Sequence, residues 1–168
     1  MKNKPSEPPQ IQLTCVDSPE GFDALRSLFL DYQQAINIDL GFQNFEEELS
    51  NLAHIYGSAT GGAALVASVD GLAAGCCAVR PLTDVDYDHA CEMKRLFVKP
   101  AFRGFGLGAM LIDRTMTEAR LMGYRHMLLD TLDEMETARA LYQDAGFIEV
   151  APYYYSPLPG THYLAAEL

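Results

Sequence analysis

Residues 98–109 read Val-Lys-Pro-Ala-Phe-Arg-Gly-Phe-Gly-Leu-Gly-Ala, with a strand-like run before them and a helical pattern after them. Glycines 104, 106 and 108 remove side chains where a backbone must turn sharply or approach a ligand closely. The first N–H groups of a helix have no intrahelical partner, so a glycine-rich helix start is an anion site. Arg103 adds a permanent cation shaped to fork onto phosphate oxygens. A chain carrying this segment is constrained to set a helix start against a strand end, which points to a mixed α/β domain.

The rest of the chain supplies matching elements. Residues 11–16 alternate weakly as a first strand, and Ser18-Pro19 reads as an N-cap followed by proline at the first helical position. Phe22, Leu25, Leu28, Phe29, Tyr32 and Ile36 recur at helical spacing, giving one long helix or two short ones over 19–40. Gly41 breaks it, and 45–52 forms a further short helical turn. Residues 63–69 and 72–79 flank Asp70-Gly71, a hairpin signal, and 91–98 is a strand ended by Pro100. After the glycine loop, Leu111, Ile112, Thr115, Ala119 and Met122 share one helical face up to Gly123. A central strand at 126–131, a helix closed by Gly146, and two last strands at 147–150 and 161–168 complete the chain. The expected fold is a mixed, twisted sheet of six or seven strands with helices on both faces, one domain over 11–168 behind a loose polar tail at 1–10.

The glycine loop has two readings. Gly104-x-Gly106-x-x-Ala109 satisfies a dinucleotide fingerprint, with Asp130 at the end of the next strand where a ribose ligand belongs. That reading predicts an NAD(P)-binding Rossmann-type protein. Against it, a segment containing Pro100 separates Val98 from Gly104, and only residues 131–168 follow Asp130, too few for a nucleotide-binding half. The other reading takes the string Leu96-x-Val98-x-Pro100-x-x-Arg103-Gly104-x-Gly106-x-Gly108 together with Ala138-x-x-Leu141-Tyr142-x-x-x-Gly146-Phe147. These two motifs, in this order, resemble those of the GCN5-related N-acetyltransferases, over roughly residues 60–150.

The resemblance implies an acyl-CoA N-acyltransferase-like fold and transfer of an acetyl group from acetyl-CoA to an amine, by direct attack in a ternary complex. It implies that acetyl-CoA lies between splayed strands at 91–98 and 126–131. Leu96, Phe97 and Val98 would meet pantetheine, and Arg103, Gly104, Phe105, Gly106, Leu107 and Gly108 the pyrophosphate. Tyr142 is the implied general acid to the departing thiolate, a phenol near pKa 10 being a suitable donor at neutral pH. Glu92, six residues before Val98, matches the glutamate base of the histone-acetylating branch. A carboxyl on a cleft-facing strand is expected to be pushed up by desolvation. By strand alternation it shares a face with Lys94 and Leu96, Lys94 is a rival partner for it, and the resemblance equally allows a water chain as the base. Met135 stands where many relatives carry asparagine, with Thr131 or Asp133 as substitutes for cofactor contact. A non-catalytic CoA-binding regulatory domain of the same fold is the alternative.

Composition narrows the partners. Net charge is −11, which argues against nucleic acid, whose affinity rests on phosphate contacts, and leans towards a cationic amine, small molecule or peptide. No run approaches the roughly 20 apolar residues of a membrane span, and residues 1–10 lack a signal-peptide core, so a cytoplasmic setting is expected. Cys15, Cys76, Cys77 and Cys91 form no CxxC, the neighbours 76 and 77 point to opposite strand faces, and the four histidines show no HExxH spacing. Neither a structural metal nor a covalent acyl-cysteine is expected. Asp84-x-Asp86-x-Asp88 fails as a calcium loop, because His89 stands where glycine is required, and reads as a solvated acidic loop or a lip for a cationic acceptor. Tyr153, Tyr154, Tyr155, Tyr32 and Phe42 are candidates for the acceptor pocket. Homodimerisation through the C-terminal strands is left open.

Overall fold

The computed structural model describes residues 7–168. Its strands are β1 (Ile11–Cys15), β2 (Ala63–Val69), β3 (Leu72–Pro81), β4 (Ala90–Val98), β5 (His126–Leu132), β6 (Ile148–Val150) and β7 (Thr161–Glu167). Its helices are α1 (Pro19–Ile36), α2 (Phe45–Ser50), α3 (Leu52–Ile55), α4 (Leu107–Leu121) and α5 (Glu136–Asp144). The strands form one sheet in the order β1-β2-β3-β4-β5-β7-β6. Among the described residues only β4 and β5 run parallel, and α4 supplies the crossover that a parallel pair requires. One parallel pair in an otherwise antiparallel sheet is not a doubly wound fold, so the dinucleotide reading of the glycine loop is corrected by topology.

Local chemistry sets the boundaries. The Ser18 hydroxyl accepts from the Gly21 N–H at 3.1 Å, and Pro19 occupies the first turn of α1. The helix stops at Ile36 instead of continuing to residue 40, because Asn37 turns left-handed (φ 51°) and closes it. Asp70 and Gly71 both have positive φ, the requirement of a tight hairpin turn. Of the expected tail, residues 1–6 lie outside the described residues, while Gln10 exchanges two 2.8 Å hydrogen bonds with Asp70.

Two apolar layers sandwich the sheet. On one face, α4 buries Leu111, Ile112, Met116 and Ala119 against Leu65, Cys77, Val79, Met93 and Leu129. On the other, Leu25, Leu28, Phe29, Phe45, Leu52 and Tyr56 from α1–α3 cover Cys76, Ala78 and Phe97. Cys76 and Cys77 thus point to opposite faces, as alternation requires.

Two irregularities in β4 shape the site. The β3–β4 register slips between Cys76 and Ala78, which leaves Arg95 and Leu96 opposite Cys77, and Arg95 adopts φ 61°. This bulge turns Leu96 towards the α4 face, away from Glu92 and Lys94, which corrects the simple alternation expected from sequence. It also drives the Arg95 guanidinium inward, where it pairs with Glu48 at 3.0 Å and lies over the rings of Phe45 and Tyr32, 5.1 and 5.8 Å from their centroids. Second, β4 and β5 pair only through Ala90–Glu92 and His126–Leu128. Beyond those rungs the strands part.

Candidate active site

The parting of β4 and β5 opens three connected spaces. A cleft of about 770 Å³ lies between the β4 end, the glycine loop and the start of α5. A second cleft, of about 690 Å³, lies on the opposite side, between α2, the loop after β3 and the tyrosines before β7. A throat of about 50 Å³ joins them. Tyr32, Leu96, Met135 and Ala138 border both throat and first cleft, whereas Gln43 and Lys94 border both throat and second cleft.

The first cleft has the geometry and free amides to hold a phosphorylated ligand. Gly104 and Gly106 have φ of 92° and 76°, a region L side chains rarely adopt, and nothing lies within 4 Å of a Cβ added at either. Their glycines are therefore explained by backbone shape, with open space above for a ligand. Gly108 has a different cause: a Cβ there meets Leu141 Cδ1 at 2.8 Å, so it allows α4 to pack on α5. No side chain caps α4, whose free amides face the cleft. Arg103 Nε is anchored on the Val98 carbonyl at 3.3 Å, which leaves the rest of the guanidinium at the cleft. The start of α5 is likewise uncapped at Met135, and Glu136, Thr137 and Ala138 line the same space. Uncapped amides thus stand where the expected asparagine is missing.

Leu96, Phe97, Val98, Arg103, Gly104, Gly106, Leu107 and Gly108 line this cleft together. Two expected residues do not. Phe105 is 40% exposed and turned outside it. Thr131 is buried, its hydroxyl directed at the Met135 sulfur at 3.6 Å. Asp133, its suggested substitute, is bound instead to His162, which also pairs with Glu149.

Tyr142 is buried on α5, edge-on to Phe147, and borders the throat. Burial, with a smaller contribution from Cys77, pushes its phenol well above the usual value of 10. The phenol therefore stays protonated at neutral pH.

Glu92 differs from expectation. It lines the second cleft and not the throat. Its Oε1 accepts from Arg80 Nε and Nη2 at 3.1 and 3.0 Å, and its Oε2 from the Tyr153 hydroxyl at 2.6 Å. Burial pushes the carboxyl up, but the Lys94 and Arg80 cations and the Tyr153 bond outweigh it and hold it below the ordinary carboxylate value. The expected desolvated, raised carboxyl is thus corrected: both oxygens are committed to donors. Lys94 lines the second cleft and the throat, buried to 5% side-chain exposure, with Gln43 Oε1 at 3.4 Å and Asp130 Oδ1 at 3.9 Å. Burial pushes its ammonium below the ordinary lysine value, although Glu92 and Asp130 oppose this.

Of the residues expected at an acceptor pocket, Phe42, Asp84, Tyr153 and Tyr154 line the second cleft, Tyr32 lines the first cleft and the throat instead, and Tyr155 is 87% exposed. Gln43 and Arg80 carried no motif that marked them. Among the cysteines, Cys77 and Cys91 are buried and burial pushes both thiols up to about 12, far from a thiolate nucleophile.

Comparison with known proteins agrees with this geometry. The Acetyltransferase (GNAT) family model matches residues 22–147. An uncharacterized N-acetyltransferase of Schizosaccharomyces pombe is 36% identical over 162 residues, covering 96% of this chain and 98% of the relative. A GNAT-family acetyltransferase structure from Staphylococcus aureus superposes with a TM-score of 0.74 at 20% identity, covering 94% of this chain and 99% of the other. A putative acetyltransferase from Salmonella typhimurium, solved with its cofactor acetyl-CoA, superposes with a TM-score of 0.67 at 18% identity, covering 94% and 93%.

Proposed function

The chain belongs to the GNAT acetyltransferase family, whose members transfer an acetyl group from acetyl-CoA to an amine, and on that premise we propose how its own residues divide the work. The first cleft takes acetyl-CoA. Pyrophosphate rests on the amides of the glycine loop and of the α4 start, under Arg103, and pantetheine follows the unpaired edge of β4 at Leu96–Val98. The thioester then reaches the throat, beside Tyr142. The second cleft takes the acceptor, and its volume of about 690 Å³ suits a small-molecule amine. Glu47 and Asp84 on its lining favour an acceptor with a cationic part.

The observation that carries this reading is the parting of β4 from β5 after the Glu92–Leu128 rung, which opens a throat between two clefts. The amine attacks the thioester directly there, and no thiol stands ready to form an acyl-enzyme. Tyr142 donates its hydroxyl proton to the sulfur as negative charge builds on it. Glu92 holds Arg80 and Tyr153 in the acceptor wall. We take residues 11–168 as one catalytic domain.

The test is calorimetric titration with acetyl-CoA, NADH and NADPH in parallel, then a panel of primary amines with thiol-release detection. Acetyl-CoA binding with amine-dependent thiol release is expected. Binding without release by any amine would favour a CoA-binding regulatory domain.

A further inference from the structure

An alkylamine reaches the throat as an ammonium, which has no lone pair, so a group beside the thioester must take its first proton. With Glu92 committed to Arg80 and Tyr153, the throat itself supplies a different carboxylate. Asp130 lies on β5 two residues beyond the last parallel rung at Leu128, where the strands have already parted. It shares the 50 Å³ throat with Tyr142, so an acid and a carboxylate border the same small space. Its side chain keeps 15% exposure. Oδ2 accepts from the Tyr154 hydroxyl at 3.0 Å, which fixes the carboxylate plane. Oδ1 accepts no hydrogen bond among the described residues, and Lys94 Nζ stands off at 3.9 Å. That separation exceeds a hydrogen bond and leaves Oδ1 open to an incoming donor.

We propose that Asp130 binds the acceptor's ammonium through Oδ1 and removes its first proton, making it a catalytic residue of the transfer. The inference rests on the functional reading above. The ammonium gives one proton to Oδ1 and becomes an amine. The nitrogen lone pair forms the N–C bond, the carbonyl pair moves to oxygen, and its return breaks the C–S bond. Tyr142 gives a proton to the departing sulfur, and the nitrogen's surplus proton restores the phenol. The products are amide, CoA thiol and the proton on Asp130, which leaves by the acceptor cleft that Lys94 and Gln43 border.

The charged and titratable groups around Asp130 are Lys94 and Arg95 from β4, Tyr153 and Tyr154 from the segment before β7, Tyr163 from β7, Tyr142 from α5 and Tyr32 from α1. The experiment measures kcat and the pH profile of kcat/KM on the best alkylamine of the panel, with acetyl-CoA affinity as the check on folding. Asp130→Asn is expected to lower kcat about 100-fold or more with acetyl-CoA affinity unchanged. Its kcat/KM is expected to follow the free-base fraction of the amine. Tyr154→Phe, which removes the hydrogen bond that orients the carboxylate, is expected to lower kcat with acetyl-CoA affinity unchanged. A merely structural Asp130 would leave the pH profile of kcat/KM in Asp130→Asn the same as in the unmodified protein. Unchanged kcat in Asp130→Asn, or a pH profile of kcat/KM that the substitution does not alter, would overturn the assignment while leaving the acetyltransferase reading intact. An unmodified protein that binds no acetyl-CoA would instead overturn that reading and this assignment with it.

Discussion

Replacing Gly106 with valine separates backbone shape from ligand binding. Nothing lies within 4 Å of the added Cβ, so the substitution meets no steric wall in the protein. Its cost to the fold is the left-handed backbone at φ 76°, about 1–2 kcal/mol for an L residue. For a chain of this size that is a fall of about 2–8 °C in Tm. The effect on binding is larger. If position 106 relaxes out of the left-handed region, the amides at the α4 start turn away from the phosphates. Losing one charge-assisted hydrogen bond costs about 1.5–3 kcal/mol, which weakens acetyl-CoA binding about 10- to 150-fold. Gly71 is the control, because it has φ 80°, equally open surroundings and a hairpin position away from both clefts. Gly71→Val is expected to lower Tm similarly and leave acetyl-CoA affinity untouched. Calorimetric titration beside thermal melts reads both quantities. Normal acetyl-CoA affinity in Gly106→Val, with the melting loss present, would refute the assignment of the loop as the pyrophosphate seat.

Three further outcomes follow from named contacts. Tyr142→Phe keeps the edge-on packing against Phe147, so melting is expected to change little while kcat falls about 100-fold at constant acetyl-CoA affinity; an unchanged kcat would remove Tyr142 from the chemistry. Arg95→Met leaves Glu48 charged and buried beneath Tyr56, which is expected to cost about 3–5 kcal/mol in denaturant unfolding; a loss below about 1 kcal/mol would show that the pair is not holding α2 to β4. His162 is held above the ordinary histidine value, chiefly by its bonds to Asp133 and Glu149. Its contribution is therefore full below about pH 6.5 and lost as pH rises through the raised value. The Tm difference between the unmodified protein and His162→Gln is expected to shrink over that rise, and a difference independent of pH would refute the pairing.

Much of this was legible in the sequence because it depends on local signals. The strand–loop–helix around Gly104–Gly108, the Asp70-Gly71 hairpin and the Ser18-Pro19 helix start each reflect backbone preferences of adjacent residues. The order of the two motifs then fixed the family and the cleft. What was hidden depends on contacts between distant positions. Lys94 is the only rival partner that alternation offers Glu92, and nothing local reveals that Arg80 binds it and that Tyr153 returns from 61 positions away to do so. The bulge at Arg95 was equally invisible, since an arginine at φ 61° leaves no mark in an alternating pattern, yet it turned Leu96 to the opposite face. Asp130 enters the sequence reading only through the rejected dinucleotide alternative, as a ribose contact, because nothing local shows that the parting of the strands places it on the throat. Thr131, one residue on, points to the other side of β5 and is buried under Met135.

Direct attack in a ternary complex is the central claim, and the initial-velocity pattern tests it most directly. Acetyl-CoA and the acceptor amine are varied against one another, with thiol release as the readout. The account predicts double-reciprocal lines that intersect, because both substrates must occupy the two clefts before the nitrogen reaches the thioester through the throat. Parallel lines, with thiol released in a burst before any amine is added, would contradict it by showing that the acetyl group first rests on the protein.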